Sequence, residues 1–206
     1  LKKLIKPTSM SYNIDQFSKI TGINKLLLRT WENRYEFLKA PRSKTKIRIY
    51  SDELLIQALN TKLLISNGYK ISYISNQNEE KIQKLVHNIK QSADSNVKEY
   101  IYINKLIESG IKYNTALFNE TYNEGVDNLG ILGFYKKVML PTFAKIGLFW
   151  LTNRMNPGQE HFLSELFKQK IMSAIDQEEI IQKKTMTWLL FLPPNEYHEI
   201  GLIFSK

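Results

Sequence analysis

The stretch TGINKLLLRTWENRYEFLKAPRSKTKIRIYS, from Thr21 to Ser51, decides the fold of the N-terminal part of the chain. Gly22 predicts a tight turn, and Asn24 can cap the helix that follows it. At about 100° per residue, this helix separates an apolar side from a polar side. The apolar side is predicted to hold Leu27, Leu28, Trp31 and Tyr35. The polar side holds side chains spaced four residues apart, namely Lys25, Arg29 and Asn33.

A second predicted helix precedes this one. Asn13 can cap it, and Ile14, Phe17 and Ile20 fall on one face. Two helices joined by a tight turn, with long hydrogen-bond donors on the outer face of the second, are typical of a helix-turn-helix that reads a DNA groove. A solvated face on a surface helix explains the same residues, so the pattern alone leaves both interpretations open.

The residues after the second helix predict a small β-hairpin, or wing. Four cations and a tyrosine follow one another closely: Arg42, Lys44, Lys46, Arg48 and Tyr50. The alternation Ile-Arg-Ile-Tyr predicts that Arg48 points to one side and the two isoleucines to the other. Ser51 can then cap a helix that carries apolar residues, among them Leu54, Leu55, Ala58 and Leu59.

Charge is unevenly distributed along the 206 residues. Residues 1–90 hold 17 Lys and Arg against 7 Asp and Glu, a net charge of +10, whereas residues 91–206 hold 12 against 13, a net charge of −1. A basic N-terminal part on a nearly neutral remainder indicates a polyanionic partner for that part alone. A solubilising surface is the alternative interpretation.

Composition excludes several classes of site. The chain has no cysteine, which removes disulfides and thiolate zinc sites and fits a cytoplasmic location. Three histidines leave little room for a histidine-rich metal site. The most apolar run, residues 138–151, is interrupted by Pro141 and Lys145 and is too short to span a bilayer, so no membrane partner is expected.

The N-terminal motifs together resemble the winged helix-turn-helix of the MerR family of transcription regulators. The matching elements occur in the family's order: Thr21-Gly22, Arg29 to Tyr35, Pro41-Arg42, and Arg48-x-Tyr50. The resemblance implies a DNA-binding domain over residues 10–80 and a double-stranded DNA operator as partner. It implies base reading by Lys25 and Arg29. The implied DNA-binding residues are Lys25, Arg29, Asn33, Arg42, Lys44, Lys46, Arg48 and Tyr50. Many members carry glycine at the wing tip, where this chain has Thr45-Lys46.

Helical periodicity continues beyond the basic part. Residues 81–95 are predicted to form a linker helix that ends at a hinge, SADSN. Four helical segments then follow in residues 96–183, with breaks at Gly110, Gly125 and Asn156, and Pro141 is expected to kink the third. Short loops between such helices favour a four-helix bundle.

The closed end of the last helix pair carries Trp150, Glu160 and His161. A helical projection places Glu160 inside the apolar stripe of its helix and His161 outside it. A carboxylate on a core-facing side needs a partner. A solvated glutamate favoured by the helix dipole, and a core tryptophan, explain the same residues individually.

As a set, Trp150-x9-Glu160-His161 resembles the bundle that covers cobalamin in the light-responsive, cobalamin-dependent branch of MerR-type repressors, the CarH-like proteins. The resemblance implies adenosylcobalamin as cofactor, with these three side chains lining the pocket for the 5′-deoxyadenosyl group. Some light-sensing members carry a histidine just after the tryptophan, which becomes the upper cobalt ligand after photolysis. Here that position is Leu151.

The C-terminal residues are predicted to start a Rossmann-like α/β domain over residues 184–206, with a buried strand over Met186 to Leu192 and a helix beginning near Glu199. Glu196-x-His198-x-x-Gly201 resembles the loop of cobalamin-binding domains in which the histidine is the lower cobalt ligand. His198 is therefore the expected metal ligand. Since such a domain has five βα units, we expect either that the sequence is part of a longer chain or that cobalamin binding is lost.

The sequence thus predicts a mainly α fold: a winged helix-turn-helix, a four-helix bundle and the beginning of an α/β domain. The implied function is a repressor controlled by adenosylcobalamin and light, acting as a homo-oligomer, either a dimer or a tetramer. A cobalamin-independent MerR-type regulator, a corrinoid methyl-carrier module and a purely structural bundle are the alternatives. No catalytic constellation is present in the sequence, so an enzyme is not expected.

Overall fold

In the computed structural model the chain is mainly α-helical, as predicted. The structure describes residues 11–151, 157–177, 189–196 and 199–206, the first segment with side chains up to residue 147. Within these residues, no helix combines the length and the apolar character needed to cross a membrane. The elements are β1 (Ser11–Tyr12), α1 (Ile14–Thr21), α2 (Lys25–Tyr35), β2 (Tyr50–Ser51), α3 (Asp52–Ser66), α4 (Ile71–Ile74), α5 (Glu79–Ser92), α6 (Ser95–Ile111), α7 (Thr115–Phe134), a π-helical turn (Tyr135–Met139), α8 (Leu140–Leu151), α9 (Pro157–Gln177) and α10 (Ile200–Phe204).

Local capping sets the limits of α1 and α2. The Asn13 side chain accepts a hydrogen bond from the N–H of Gln16, whose own side chain accepts one from the N–H of Asn13. Helix α1 ends at Gly22, whose φ of 65° is a left-handed conformation that glycine adopts without steric penalty. Asn24 then caps α2 through its side chain. These three capping and turn predictions are confirmed.

A two-stranded antiparallel sheet fastens the N-terminus to the start of α3. Strand β1 pairs with β2 so that Tyr12 faces Tyr50. The Tyr50 ring stacks on Phe17 of α1 with a centroid distance of 4.1 Å. The Tyr12 hydroxyl donates to Asp52 Oδ1 at 2.7 Å, in the first turn of α3. Strand β1 was not predicted because a two-residue strand carries no periodic signal.

Helix α5, predicted as a linker helix, is part of a packed core. It lies against α3 and buries four apolar side chains: Ile82, Leu85, Val86 and Ile89. His87 is exposed on the opposite side. At the predicted hinge, Ala93 is extended and the Asp94 side chain caps α6 by accepting from the N–H of Val97. Helix α6 packs against α3 as well as against α7 and α8, so the described residues up to 151 form one compact unit.

The break in the middle of the chain lies at a different glycine from the one predicted. Helix α7 continues through Gly125, where a break was expected, and is interrupted at Gly130, whose φ of 68° and ψ of 163° are not helical. Gly125 is helical, and its missing side chain lets the Phe134 ring lie against its backbone. Pro141, where a kink was expected, lies in the first turn of α8, and a π-helical turn over Tyr135–Met139 directly precedes that helix.

The residues from 157 onward form a second compact unit. Helix α9 begins at Pro157, as predicted, and buries Leu163, Phe167 and Ile171 on one face. Helix α10 packs against α9, where Lys168 forms an ion pair with Glu199. Since α6, α7 and α8 belong to the first unit and α9 to the second, the four-helix bundle stays a prediction.

The buried strand expected over Met186 to Leu192 is not formed in its described part. Residues 189–192 have no regular structure, and Leu189 and Phe191 are 84% and 71% exposed. A strand needs a hydrogen-bonded neighbour, and the described residues place none beside this segment. The helix expected near Glu199 is present as α10. Residues 186–188 lie outside the described residues.

Candidate DNA-binding surface and cofactor-binding residues

The outer face of α2 carries the polar side chains that the sequence predicts there. Leu28 and Trp31 are 1% and 6% exposed and fasten α2 to the core. Arg29 and Asn33 are exposed on the other side, and Arg29 has no ion pair among the described residues. Leu27 was expected on the apolar side, but it is 48% exposed, because it lies at the edge of the buried stripe.

Lys25, also expected to read bases, lies at the margin of this face. Its Nζ is 2.5 Å from Asp15 Oδ1 of α1. This hydrogen bond and the charge of Lys25 lower the pKa of the Asp15 carboxyl, with smaller contributions from Lys19 and Arg29. Lys25 thus joins α1 to α2 through an exposed ion pair, which an approaching phosphate can replace at small cost.

The predicted wing is a short hairpin over residues 41–49. The N–H of Ile49 donates to the carbonyl of Pro41 at 2.8 Å, and the N–H of Ser43 donates to the carbonyl of Ile47, also at 2.8 Å. Arg42 and Arg48 are bridge partners in this antiparallel pair. Ile47 is 56% exposed, so the isoleucines of the wing do not both pack inward.

The tip of the wing carries its cations outward. Arg42, Lys44 and Lys46 are exposed and have no ion pair among the described residues. Lys46 has a φ of 61°, a left-handed conformation in which glycine is the favoured residue. Lysine therefore stands where the turn geometry favours glycine, and the departure noted at the wing tip does not prevent the turn from forming.

Arg48 was expected to contact DNA, but the structure gives it a different partner. Its guanidinium forms an ion pair with Glu32 of α2, and the two side chains are 17% and 9% exposed. A largely buried, paired guanidinium is not available as a phosphate contact. The position of Arg48 in the hairpin turns it toward α2, and it fastens the wing to that helix.

Tyr50, also predicted to contact DNA, is buried in the structure. Its side chain is 1% exposed, and its ring stacks on Phe17. Burial raises the pKa of its hydroxyl, with a further contribution from the nearby carboxylate of Glu32. Tyr50 belongs to the core because the β1–β2 pairing turns its side chain inward, so it supports the surface without forming part of it.

Among the predicted cofactor-binding residues, Glu160 and His161 are adjacent in the first turn of α9. Glu160 Oε1 accepts a hydrogen bond from the Ser164 hydroxyl at 2.5 Å, and Glu160 Oε2 lies 3.2 Å from His161 Nδ1. The Glu160 side chain is 21% exposed and that of His161 is 71% exposed. The carboxylate therefore has partners, and its remaining lone pairs can accept from a ligand.

The other predicted cofactor-binding residues belong to other parts of the chain. Trp150 lies in the last turn of α8, in the first unit. Glu196 is exposed and follows a turn in which Asn195 has a φ of 68°, and Gly201 is exposed in the first turn of α10. The predicted lower cobalt ligand, His198, lies outside the described residues.

Leu26 is a surface residue that the sequence analysis missed. It is 70% exposed in the first turn of α2 and shares the outer face with Arg29 and Asn33. The same helical projection that selected Leu28 and Trp31 for the core places Leu26 opposite them.

Known proteins match two parts of the chain. Residues 12–77 match the family model described as MerR HTH family regulatory protein, and residues 102–173 match the one described as B12 binding domain. The HTH-type transcriptional repressor CarH of Myxococcus xanthus is 22% identical over 196 residues, which are 94% of this chain. The chain spans 65% of the length of that relative. The first of these models and the relative are both described as transcription regulators.

The two matches cover most of the predicted site residues. The first contains the α2 face and the wing, and the second contains Trp150, Glu160 and His161. Glu196, His198 and Gly201 lie beyond the second match. The chain thus resembles MerR-type regulators in its helix-turn-helix, carries a region similar to B12-binding domains after it, and is similar to CarH over most of its length.

Proposed function

We propose that the chain is a sequence-specific regulator that binds a double-stranded DNA operator and represses transcription from it. The observation that carries this proposal is the outer face of α2, where Arg29 and Asn33 stand exposed on a helix that Leu28 and Trp31 hold in place. The exposed cations of the wing lie on the same module. The charge of +10 on residues 1–90 supports a polyanion as partner.

The geometry favours different roles for the exposed residues. Arg29 is suited to bidentate donation to a guanine and Asn33 to an adenine in the major groove. Arg42, Lys44 and Lys46 are suited to phosphate contacts, which fix register without reading sequence. Lys25 would reach DNA only by exchanging its partner Asp15 for a phosphate. Arg48 and Tyr50 act indirectly, by supporting the wing and the core.

Adenosylcobalamin is the effector that we assign to the second half of the chain. The described residues fit part of such a site, because Glu160 presents a half-buried carboxylate that can accept from a ribose hydroxyl. Trp150 and His161 would line the same pocket. His198, supported by Glu196 and Gly201, would hold the cobalt from below. When bound, this cofactor supplies a carbon–cobalt bond that visible light breaks.

We also propose that light and oligomerisation control operator binding. The cofactor would favour a homo-oligomer in the dark, either a dimer or a tetramer, and illumination would release the operator. Leu151 cannot ligate cobalt, so any light response of this chain would proceed without a second histidine at that position.

Electrophoretic mobility shift with gel filtration tests this proposal. Duplexes are first selected from a random-sequence pool by the protein in the dark with adenosylcobalamin. The selected duplex and a scrambled duplex are then titrated with wild type, with Arg29→Ala and with Lys44→Ala. We expect Arg29→Ala to lose about tenfold or more on the selected duplex and little on the scrambled one. Lys44→Ala should weaken both duplexes alike.

Two outcomes contradict parts of the proposal separately. Equal losses on both duplexes for Arg29→Ala would remove its base-reading role. Corrin absorbance that elutes apart from the protein, with operator binding intact, would leave a cobalamin-independent MerR-type regulator. If the corrin elutes with the protein and illumination changes neither the elution volume nor operator binding, the cofactor has a role other than light sensing.

A further inference from the structure

A leucine lies on the outer face of α2. Leu26 is 70% exposed, and the helical projection places it directly opposite the buried side formed by Leu28 and Trp31. Arg29 and Asn33 share its face at spacings of three and seven residues. The centre of the face predicted to meet DNA is therefore apolar at its N-terminal end and polar further along.

The surroundings of Leu26 indicate which partner covers it. Exposed cations flank it on α2 at Lys25 and Arg29, and the wing of the same module adds three more. Cations beside an apolar side chain, on a basic module, disfavour a second copy of this module and favour a polyanion that carries an apolar group. Thr30, one turn along, donates its hydroxyl to the Leu26 carbonyl at 2.9 Å, so this hydroxyl is already committed within the helix.

We propose that Leu26 contacts the C5-methyl group of a thymine in the major groove and thereby determines part of the operator sequence. This inference rests on the proposed DNA-binding function. The thymine methyl is the apolar group that base pairs present in the major groove, and the first residues of a recognition helix are the ones that reach base edges. Leu26 occupies the first turn of α2.

The position of Leu26 relative to Arg29 limits where the thymine lies. Three residues of α-helix rise about 4.5 Å, which is close to one base-pair step of about 3.4 Å. Arg29 is the candidate for a bidentate contact to guanine. The guanine that Arg29 contacts is the one whose replacement weakens binding by wild type but not by Arg29→Ala. The thymine is therefore expected within one or two base pairs of that guanine.

Uracil substitution tests this inference, because uracil differs from thymine only by lacking the methyl group. Each thymine of the selected duplex is replaced by uracil in turn, and binding is measured for wild type, Leu26→Ala and Leu27→Ala. Leu27 is the matched control, since it is the adjacent leucine and is 48% exposed. At one thymine we expect uracil to weaken wild type and Leu27→Ala about three- to tenfold and to leave Leu26→Ala unchanged.

The possible results distinguish failure of the thymine contact from failure of the proposed sequence-specific DNA binding. A selection that enriches no sequence would overturn both. If a sequence is enriched and wild type tolerates uracil everywhere, or if Leu26→Ala keeps the full loss at each sensitive thymine, only the thymine contact is excluded. A change in the sedimentation of DNA-free protein caused by Leu26→Ala would also overturn the contact, because it would show that protein covers the leucine.

Discussion

At the scale of single residues, Lys145 is a mostly buried cation in the helical half of the chain. Its Nζ lies 4.4 Å from the centroid of the Tyr100 ring and 3.4 Å from Asn104 Oδ1, on helix α6. Burial, and then the charge of Lys62, lower the pKa of Lys145 from 10.5 to about 8. No carboxylate pairs with it among the described residues. The ammonium is therefore a source of instability at neutral pH.

We expect Lys145→Met to stabilise the protein at pH 7 and to change its pH dependence. Below pH 8 both states hold the proton, and wild type bears the full penalty. Between about pH 8 and 10.5 only the unfolded chain holds it, so wild-type stability rises with pH relative to the variant. The gain at pH 7 should be about 1–2 kcal/mol, which is less than the pKa shift alone implies because the side chain is partly exposed.

Urea unfolding at pH 7, 8.5 and 10 measures this difference, and Lys136→Met serves as the control at an exposed lysine. The interpretation fails if Lys145→Met is destabilised by the same amount at all three pH values, because the amine would then stabilise the fold through its contacts with Tyr100 and Asn104.

Arg48 is the residue for which the prediction and the structure differ most. We expect Arg48→Ala to destabilise the protein by about 1–3 kcal/mol, because it leaves the largely buried carboxylate of Glu32 without its partner. Lys44→Ala, at an exposed position of the same hairpin, should stay within about 0.5 kcal/mol of wild type.

A double-mutant cycle in urea identifies the cause of this loss. Glu32→Gln placed on Arg48→Ala should recover part of the stability, since it removes the unpaired charge. Additive losses from the two substitutions would show that the ion pair does not fasten the wing to α2.

At the scale of elements, the packing of α7 depends on the absence of a side chain at Gly125. A Cβ at this position would lie 2.4 Å from Phe134 Cε2, and the Phe134 ring also meets Tyr122 edge to face at 5.1 Å. We expect Gly125→Ala to destabilise the protein by about 1–3 kcal/mol, because the ring must move within a packed core.

Gly147→Ala is the matched control for this substitution. A Cβ at Gly147 would meet nothing within 4 Å, so alanine should raise stability by a few tenths to about 1 kcal/mol through its helix propensity. Urea unfolding compares the two variants. Equal stabilities would mean that Phe134 does not pack against the backbone of Gly125.

The elements differ in how far the sequence determines them. Helices α1 and α2 were predicted with their caps because Asn13, Gly22 and Asn24 are local signals. The break at Gly130 was missed because two nearby glycines give the same local signal, and only the Phe134 contact distinguishes Gly125. The contacts of Tyr50 and Arg48 could not be predicted from their type and spacing, because their partners Phe17 and Glu32 lie 33 and 16 residues away.

At the scale of the whole molecule, the N-terminal module and the helices that follow are in contact. Helix α3 packs against α5 and α6, and α1 packs against α8. Helix α8 also contains Trp150, a residue predicted to contact the cofactor, in its last turn, and lies in the region that matches the B12-binding model. A rearrangement of α8 would therefore act directly on α1, the helix that Lys25 joins to α2. The described residues up to 151 thus supply a short route from the predicted effector region to the DNA-binding surface.

The uneven charge along the chain predicts that the salt dependence of DNA binding comes from the basic N-terminal part. Each phosphate neutralised by the protein releases counterions. The slope of the logarithm of affinity against the logarithm of salt concentration therefore becomes more negative by about 0.9 per contact. We expect Lys44→Ala to make this negative slope shallower by about 1 for each bound chain. Lys136→Ala, also at an exposed position but in the half with a net charge of −1, should leave the slope unchanged. Titrations from about 50 to 200 mM salt on a scrambled duplex measure the slopes. If Lys136→Ala reduces the slope as much as Lys44→Ala does, the DNA lies along the helical half as well, and the wing of residues 41–49 is not the main phosphate contact.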